Sequence, residues 1–411
     1  MKALIGESIA RIIDMTLRFL SIVAKVVLVF IAARELATDQ FGIFITIQAT
    51  ISLYQYLAGG DISLISHRFF LLGRLSLADL IVTQLPLQIL TIILASIAMV
   101  ENFSASRNSY LIIMVVGVLI FETITTEGQR LLVSMGKFTT ANLALFIKST
   151  GWIIPLMAYW GWKGGEVFSL LEFWLCGLVI AALFIVITIF LSGDIWREAK
   201  FNKELASEIV RKAIWILMGT LALRALFSLD RLIVEKYGGL DAVGGYGFFL
   251  GIAAAYLAIL DAGVLTRIYP NIVRAVSDGD NETIYYNIKL SIITSIVFCV
   301  ISLLLYSYFI DYLLIIVNKN SYINLKYIGY ISILSYSFYA CSLGYYYVIY
   351  GMKKDKTILF INFICTIPLL IIIIINKYDV RYVVGSVFFG SLLHLILKIY
   401  FYSKLRAKIH D

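Results

Sequence analysis

The chain has 411 residues, of which 61% are hydrophobic and only 15% charged, against about a quarter charged in an ordinary soluble domain. Polar residues collect in short punctuation between long apolar runs, which excludes a water-soluble core. Runs such as Leu80 to Val100 and Ile284 to Tyr308 lack the strict alternation of a membrane β-barrel.

Helices are therefore the spanning elements. Taken in chain order, the first half predicts spans at about 9–33, 41–66, 79–100, 109–133, 140–160 and 168–192. The second half predicts spans at about 210–235, 243–270, 284–310, 323–350, 357–376 and 382–403. The expected fold is an all-α integral membrane protein of about twelve transmembrane helices, in two six-helix lobes around a central cavity. The lobes would comprise residues 1–192 and 210–411, joined by a cytoplasmic linker at 193–209 whose Trp196 and Phe201 could dip into the headgroups.

Charged residues inside these spans are the candidates for function, because each costs at least about 2.5–3.5 kcal/mol on insertion scales. In the first span Arg11, Asp14, Arg18 and Lys25 follow at helical spacing and share one stripe, which also rules out a cleavable signal peptide there. Lys148 lies deep in the fifth span. In the seventh, Arg224 and Arg231 are again seven apart, share a face with Glu235 and have Asp230 to one side. The candidate anion-binding set is thus Arg18, Lys25, Lys148, Arg224 and Arg231. Asp61, Glu122, Glu127 and Asp261 are candidate titrating groups for ion coupling, although Glu127 with Arg130, three apart, also reads as a local helix pair.

The tenth span is crowded with tyrosines, most suited to interface anchoring and packing; Tyr336 and Tyr339, deepest in it, are the candidates for touching sugars. His394 in the twelfth span reads as a hydrogen-bonded packing residue in preference to a proton relay. Cys176, Cys299, Cys341 and Cys365 are scattered singly and read as small core residues, and Pro86, Pro155, Pro270 and Pro368 as kinks within spans.

Nineteen Lys and Arg fall in alternate connections that include both ends, and eight in the opposite set. By the positive-inside rule both termini are cytoplasmic, and the net charge of +8 reports sidedness, with no nucleic-acid partner implied. No Walker loop, nucleophile elbow or zinc motif is present, so the sequence calls for no cofactor or metal and for movement of a substrate over its transformation.

Two stretches carry a family resemblance: Ala32-Ala33-Arg34-Glu35-Leu36-Ala37-Thr38-Asp39-Gln40-Phe41-Gly42 after the first helix, and Asp230-Arg231 followed by Gly244-Gly245-Tyr246-Gly247. With the whole-length architecture, they make the chain resemble Wzx-type O-antigen and polysaccharide repeat-unit flippases of the multidrug/oligosaccharidyl-lipid/polysaccharide exporter superfamily. The resemblance implies alternating-access transfer of an undecaprenyl-pyrophosphate-linked oligosaccharide across the bacterial inner membrane, in O-antigen or lipopolysaccharide synthesis. Its implied partners are that lipid-linked substrate, membrane lipids, and a polysaccharide polymerase with its chain-length regulator. A cation-coupled multidrug exporter of the same superfamily and a membrane glycan polymerase or glycosyltransferase are the competing readings.

Overall fold

The computed structural model describes residues 2–71, 74–103, 108–191, 201–375 and 379–410. Its regular elements are all helical, as the composition requires. In the first half these are α1 (Lys2–Glu35), α2 (Thr38–Gly59), α3 (Ile62–Leu71), α4 (Leu77–Phe103), α5 (Ser109–Ser134), α6 (Phe138–Phe146), α7 (Ile153–Lys163) and α8 (Val167–Phe190). The second half contains α9 (Lys203–Leu226), α10 (Leu229–Leu260), α11 (Thr266–Asp278), α12 (Asn281–Ile316), α13 (Lys326–Gly351), α14 (Asp355–Ile375) and α15 (Val380–His410). Short π-helical segments at Ile147–Gly151 and Asp261–Leu265 join α6 to α7 and α10 to α11.

Grouping these pieces gives the twelve expected spans. The second is not one helix over 41–66: it breaks where Gly60 and Asp61 both take positive φ (58° and 49°), so α2 and α3 meet at a corner that a glycine and a short Asx side chain can adopt. The fifth is α6, the π-turn and α7, whose Pro155 has no N–H to offer the carbonyl of Gly151 at the end of that turn. The continuous helical stretch 229–278 would be about 75 Å long, more than twice a hydrocarbon core. It is divided at Gly239, whose φ of 79° and ψ of −179° interrupt the helix.

Ten helices among the described residues are long and apolar enough to cross a membrane. Two spans fall below that standard for visible reasons: α9 starts with the charged turns KELASEIVRK, and α13 is rich in serine and tyrosine. In α13 the small residues face protein. Ser332, Ser335, Ala340, Ser342 and Gly344 are buried, and Ser335 and Ser337 satisfy their hydroxyls on carbonyls one turn back, at 2.7 Å each. By contrast α12 presents Ile293, Ile296, Val297, Val300 and Leu304 outward, an apolar face suited to lipid.

By backbone contacts the chain divides into two compact units, Met1–Leu28 with Thr50–Leu217 and Val29–Ala49 with Met218–Asp411. Helices α1, α2 and α9 are each split between them. In the first unit α5 is the hub, packed on α3, α4, α6 and α8; in the second it is α13, packed on α10, α11, α12, α14 and α15. Residues 193–200 of the expected linker, Trp196 among them, lie outside the described residues; Phe201 is exposed and precedes α9, which begins inside the expected linker at Lys203.

The two stretches that carried the family resemblance meet inside the second unit. A Cβ on Gly42 would fall 2.1 Å from the Leu240 carbonyl oxygen, and one on Gly247 would fall 2.4 Å from the Ile45 side chain. Around them Phe41 and Phe248 are fully enclosed, and Phe248 packs edge-on to Phe30 at 5.6 Å. Lys319, in the connection after α12, donates to the Leu36 carbonyl at 2.9 Å just beyond the end of α1.

Candidate functional site

In the first unit, Arg18 lies near the middle of the 34-residue α1, exposed, with Nε donating to the carboxamide oxygen of Asn142 at 2.9 Å. Lys25, two turns on, is also exposed and lies within electrostatic reach of Glu122 and Lys148. Lys148 sits in the π-turn, is buried, and pairs with Glu122 at 2.6 Å while donating to Thr126 Oγ1 at 2.7 Å. Gln55 donates to the same hydroxyl at 2.8 Å. Two of the anticipated cations, Lys25 and Lys148, therefore share one polar neighbourhood with the acid Glu122, while Arg18 is held by Asn142. The extra residue of the π-turn shifts side-chain phase and aims Lys148 at α5, with the Trp152 indole donating back to the Lys148 carbonyl at 2.9 Å.

A second cluster in this unit gathers two other anticipated acids. Glu127 takes Arg130 Nη1 at 2.9 Å, the pair expected from their spacing, and Gln88 Nε2 at 2.9 Å. Arg130 also donates to Ser63, and buried Asp61 at the α2–α3 corner acts electrostatically on Glu127. A Cβ on Gly59 would lie 3.2 Å from Glu127 Oε1, so the carboxylate approaches this backbone closely. Glu127, Gln84, Gln88 and Thr123 form the polar part of a cavity of about 320 Å³ between α4 and α5, otherwise walled by Leu80, Leu85, Ile89 and their neighbours.

In the second unit the structure corrects the expected stripe. Arg224 and Arg231 do not share a continuous helix, because Phe227 and Ser228 form a turn between α9 and α10, with Ser228 at a non-helical φ of −139°. Arg231 Nη2 reaches back to the Phe227 carbonyl at 3.3 Å, and Tyr336 lies within hydrogen-bonding reach of Arg231 and within electrostatic reach of Arg224. Asp230 is fully buried and accepts from the Tyr246 hydroxyl at 2.6 Å and from the Arg231 backbone N–H at 2.8 Å. Tyr336 stacks on Phe227 at 5.2 Å, and Tyr339 packs edge-on to the same ring at 5.2 Å. Asp261 is exposed in its π-turn and acts electrostatically on Tyr347.

Several participants were not anticipated. Asn142, Thr126, Gln55, Gln88 and Phe227 are neutral, and no pattern separates an inward-facing amide or hydroxyl from the many others in the spans. Lys398 is one of the nineteen Lys and Arg counted in the connections on the side of the termini, whereas α15 buries it. Moving it leaves the inner set still more than twice the outer one. Three of the four cysteines are buried as expected; Cys176 is exposed on α8. Among the described residues no cluster of His, Cys, Asp and Glu is arranged to hold a metal ion.

Ten helices among the described residues long and apolar enough to cross a membrane make this a multi-pass membrane protein, with polar groups gathered inside each of two helical units. The chain has the fold of the MATE family transporters of the MOP superfamily. It is similar over 96% of its length and 94% of the other chain to an inward-facing multidrug resistance MATE family transporter, with a TM-score of 0.65 and 16% identity. An outward-facing conformation of such a transporter matches over 97% and 96%, with a TM-score of 0.54 and 16% identity. A MOP superfamily transporter from Pyrococcus furiosus, described as having a binding pocket of reversed polarity that suggests a different function, matches over 98% and 95%, with a TM-score of 0.57 and 17% identity. The sequence matches no protein-family model and no curated protein.

Proposed function

We propose that this protein moves an anionic, lipid-linked substrate across the membrane by alternating access, the substrate being an undecaprenyl-pyrophosphate-linked oligosaccharide repeat unit and the membrane the bacterial inner membrane. One observation carries the reading: Arg18, inside the spanning part of α1 (Ile13–Glu35), is exposed and held by a neutral carboxamide. A guanidinium at that depth is costly, and an anionic headgroup would supply its counter-charge through charge-assisted hydrogen bonds. Lys25 on the same face of α1, and Arg224 and Arg231 in the other unit, extend the cationic set to both halves of the chain. Tyr339, half-buried, is the ring offered to sugars, and Tyr336, expected to share that role, is buried against Phe227. Inward- and outward-facing forms among transporters of this fold support alternating access as the mechanism.

The test is charge removal at normal protein level. Arg18→Gln or Arg231→Gln is expected to lower surface glycan assembly by about tenfold or more, since a hydrogen bond to a charged group contributes roughly 1.5–3 kcal/mol. Undiminished assembly in both variants would overturn the anion-site assignment. A second reading, export of cationic drugs, has the neighbours' multidrug description in its favour. Purified protein in liposomes that exported a cationic dye and left a lipid-linked pyrophosphate unmoved would put that reading first.

A further inference from the structure

The second unit holds a polar assembly that the anion site does not use. His394 and Lys398 are four apart on α15, share one face of it, and are 1% and 2% exposed. His394 Nε2 lies 2.9 Å from Asn362 Oδ1, and Nδ1 lies 3.3 Å from Ser342 Oγ. The Lys398 ammonium donates to the same Ser342 hydroxyl at 3.1 Å and stands over the rings of Tyr339 and Tyr346 at 5.3 and 4.8 Å.

This network sets which atoms exchange protons. Asn362 spends an amide N–H on the Gly219 carbonyl at 2.9 Å, so its oxygen faces the imidazole and can only accept. Nε2 of His394 therefore carries a proton in either charge state, and Nδ1 is the variable position. Ser342 can turn its hydroxyl hydrogen to the Tyr339 carbonyl at 2.6 Å, leaving its lone pairs to accept from both Lys398 and a protonated Nδ1, or turn it toward a bare Nδ1. One hydroxyl thus stands between two bases.

Among the described residues, the groups that act on these two bases include no carboxylate, and Asp230 of α10, which also packs on α15, is taken up by Tyr246 and the Arg231 N–H. Tyr339 and Tyr346 face the bases from α13, Cys365 acts on Lys398 from α14, and α9 contributes only the Gly219 carbonyl. Asp355, at the start of α14, acts on Tyr346, and among the described residues no Asp or Glu pairs with either base. Two positive charges cannot both be held so close in a dry, acid-free site, and a metal cation would meet an ammonium where it needs a carboxylate. From Lys398 a run of rings, Tyr339 to Phe227 to Tyr336, ends beside Arg231.

We propose that Lys398, Ser342 and His394 form a proton-binding site with one exchangeable proton, and that the C-terminal unit couples transport to protons through it. The coupling half rests on the transport reading above; proton binding does not. The charge on Lys398 changes the field at Arg231 across three packed rings, one pair edge-on and one stacked, which links the site to the anion-binding groups.

The test is a potentiometric titration of purified full-length protein in weakly buffered micelles between about pH 5 and 9, with no substrate present. Wild type is expected to take up one more proton per molecule across this range than Lys398→Arg, whose guanidinium does not titrate, and His394→Gln is expected to shift or remove the same step. Lys398→Met should lose the step too, and the other two variants carry the test if it folds poorly. Superimposable curves for wild type, Lys398→Arg and His394→Gln would overturn the proposal. A proton step that survives while no lipid-linked pyrophosphate is moved would count against the substrate reading and leave the site standing.

Discussion

Gly42 shows how a single residue ties together stretches distant in sequence. Its missing side chain lets the start of α2 press on the Leu240 backbone, which cannot swing aside as a flexible side chain can. Gly42→Ala is expected to destabilise the protein by about 1–3 kcal/mol, the usual cost of overpacking, and to lower its thermal unfolding midpoint in detergent. Gly136→Ala is a poor control because its φ is 77°; Gly161→Ala, with helical φ and open space around its Cβ, should leave the midpoint nearly unchanged. Equal midpoints for Gly42→Ala and wild type would mean that the contact yields readily. The Phe41-Gly42 and Gly244 to Gly247 stretches were visible in the sequence as soft motifs. Their mutual contact was not, because roughly two hundred residues separate them and no local rule pairs them.

Among the elements, the start of α9 is held to the first unit by charge. Glu208 accepts from Arg74 at 3.0 Å and from Lys212 at 2.7 Å, and both cations lie over the Phe69 ring. The hydrogen bonds from Arg74 and then Lys212 hold the Glu208 carboxyl down at about 2. A depressed carboxyl contributes stability above its unfolded value of about 4.3 and loses it as pH falls through the folded value. Melts of wild type and Glu208→Gln should therefore differ at about pH 6, converge below about pH 4 and coincide near pH 2. Added salt should narrow the gap at neutral pH, because the groups are close to solvent. A gap unchanged by both acid and salt would show that Glu208 acts through packing. The spacing of Glu208 and Lys212 is a helix pair readable from sequence, whereas Arg74 reaches it from another connection.

Over the whole molecule, the excess of Lys and Arg in alternate connections predicts a definite sidedness. Asp379, between α14 and α15, and Asp278, at the end of α11, are both exposed and should lie on opposite faces. In a variant lacking the four native cysteines, Asp379→Cys is expected to react with a membrane-impermeant maleimide in intact cells, and Asp278→Cys only after permeabilisation. The reverse pattern would invert the topology.

The sequence by itself determined the solvent, the helical class, the number of spans and the identity of most cations within them. These follow from local composition: a run of about twenty apolar residues has one low-energy state in lipid, and each charge that interrupts it stands out. Helix breaks were less legible. The corner at Gly60-Asp61 and the turn at Phe227-Ser228 lie within apolar runs whose hydropathy does not change, so Arg224 and Arg231 read as one stripe when they belong to two helices. Only the tertiary structure decided the partners: Asn142 for Arg18, Glu122 and Thr126 for Lys148, and Ser342 for Lys398. The reason is physical. Burial of a neutral amide or hydroxyl against a cation is set by packing between helices, and Lys398, five residues from the end of its expected span, is interior because α13 and α14 pack on α15.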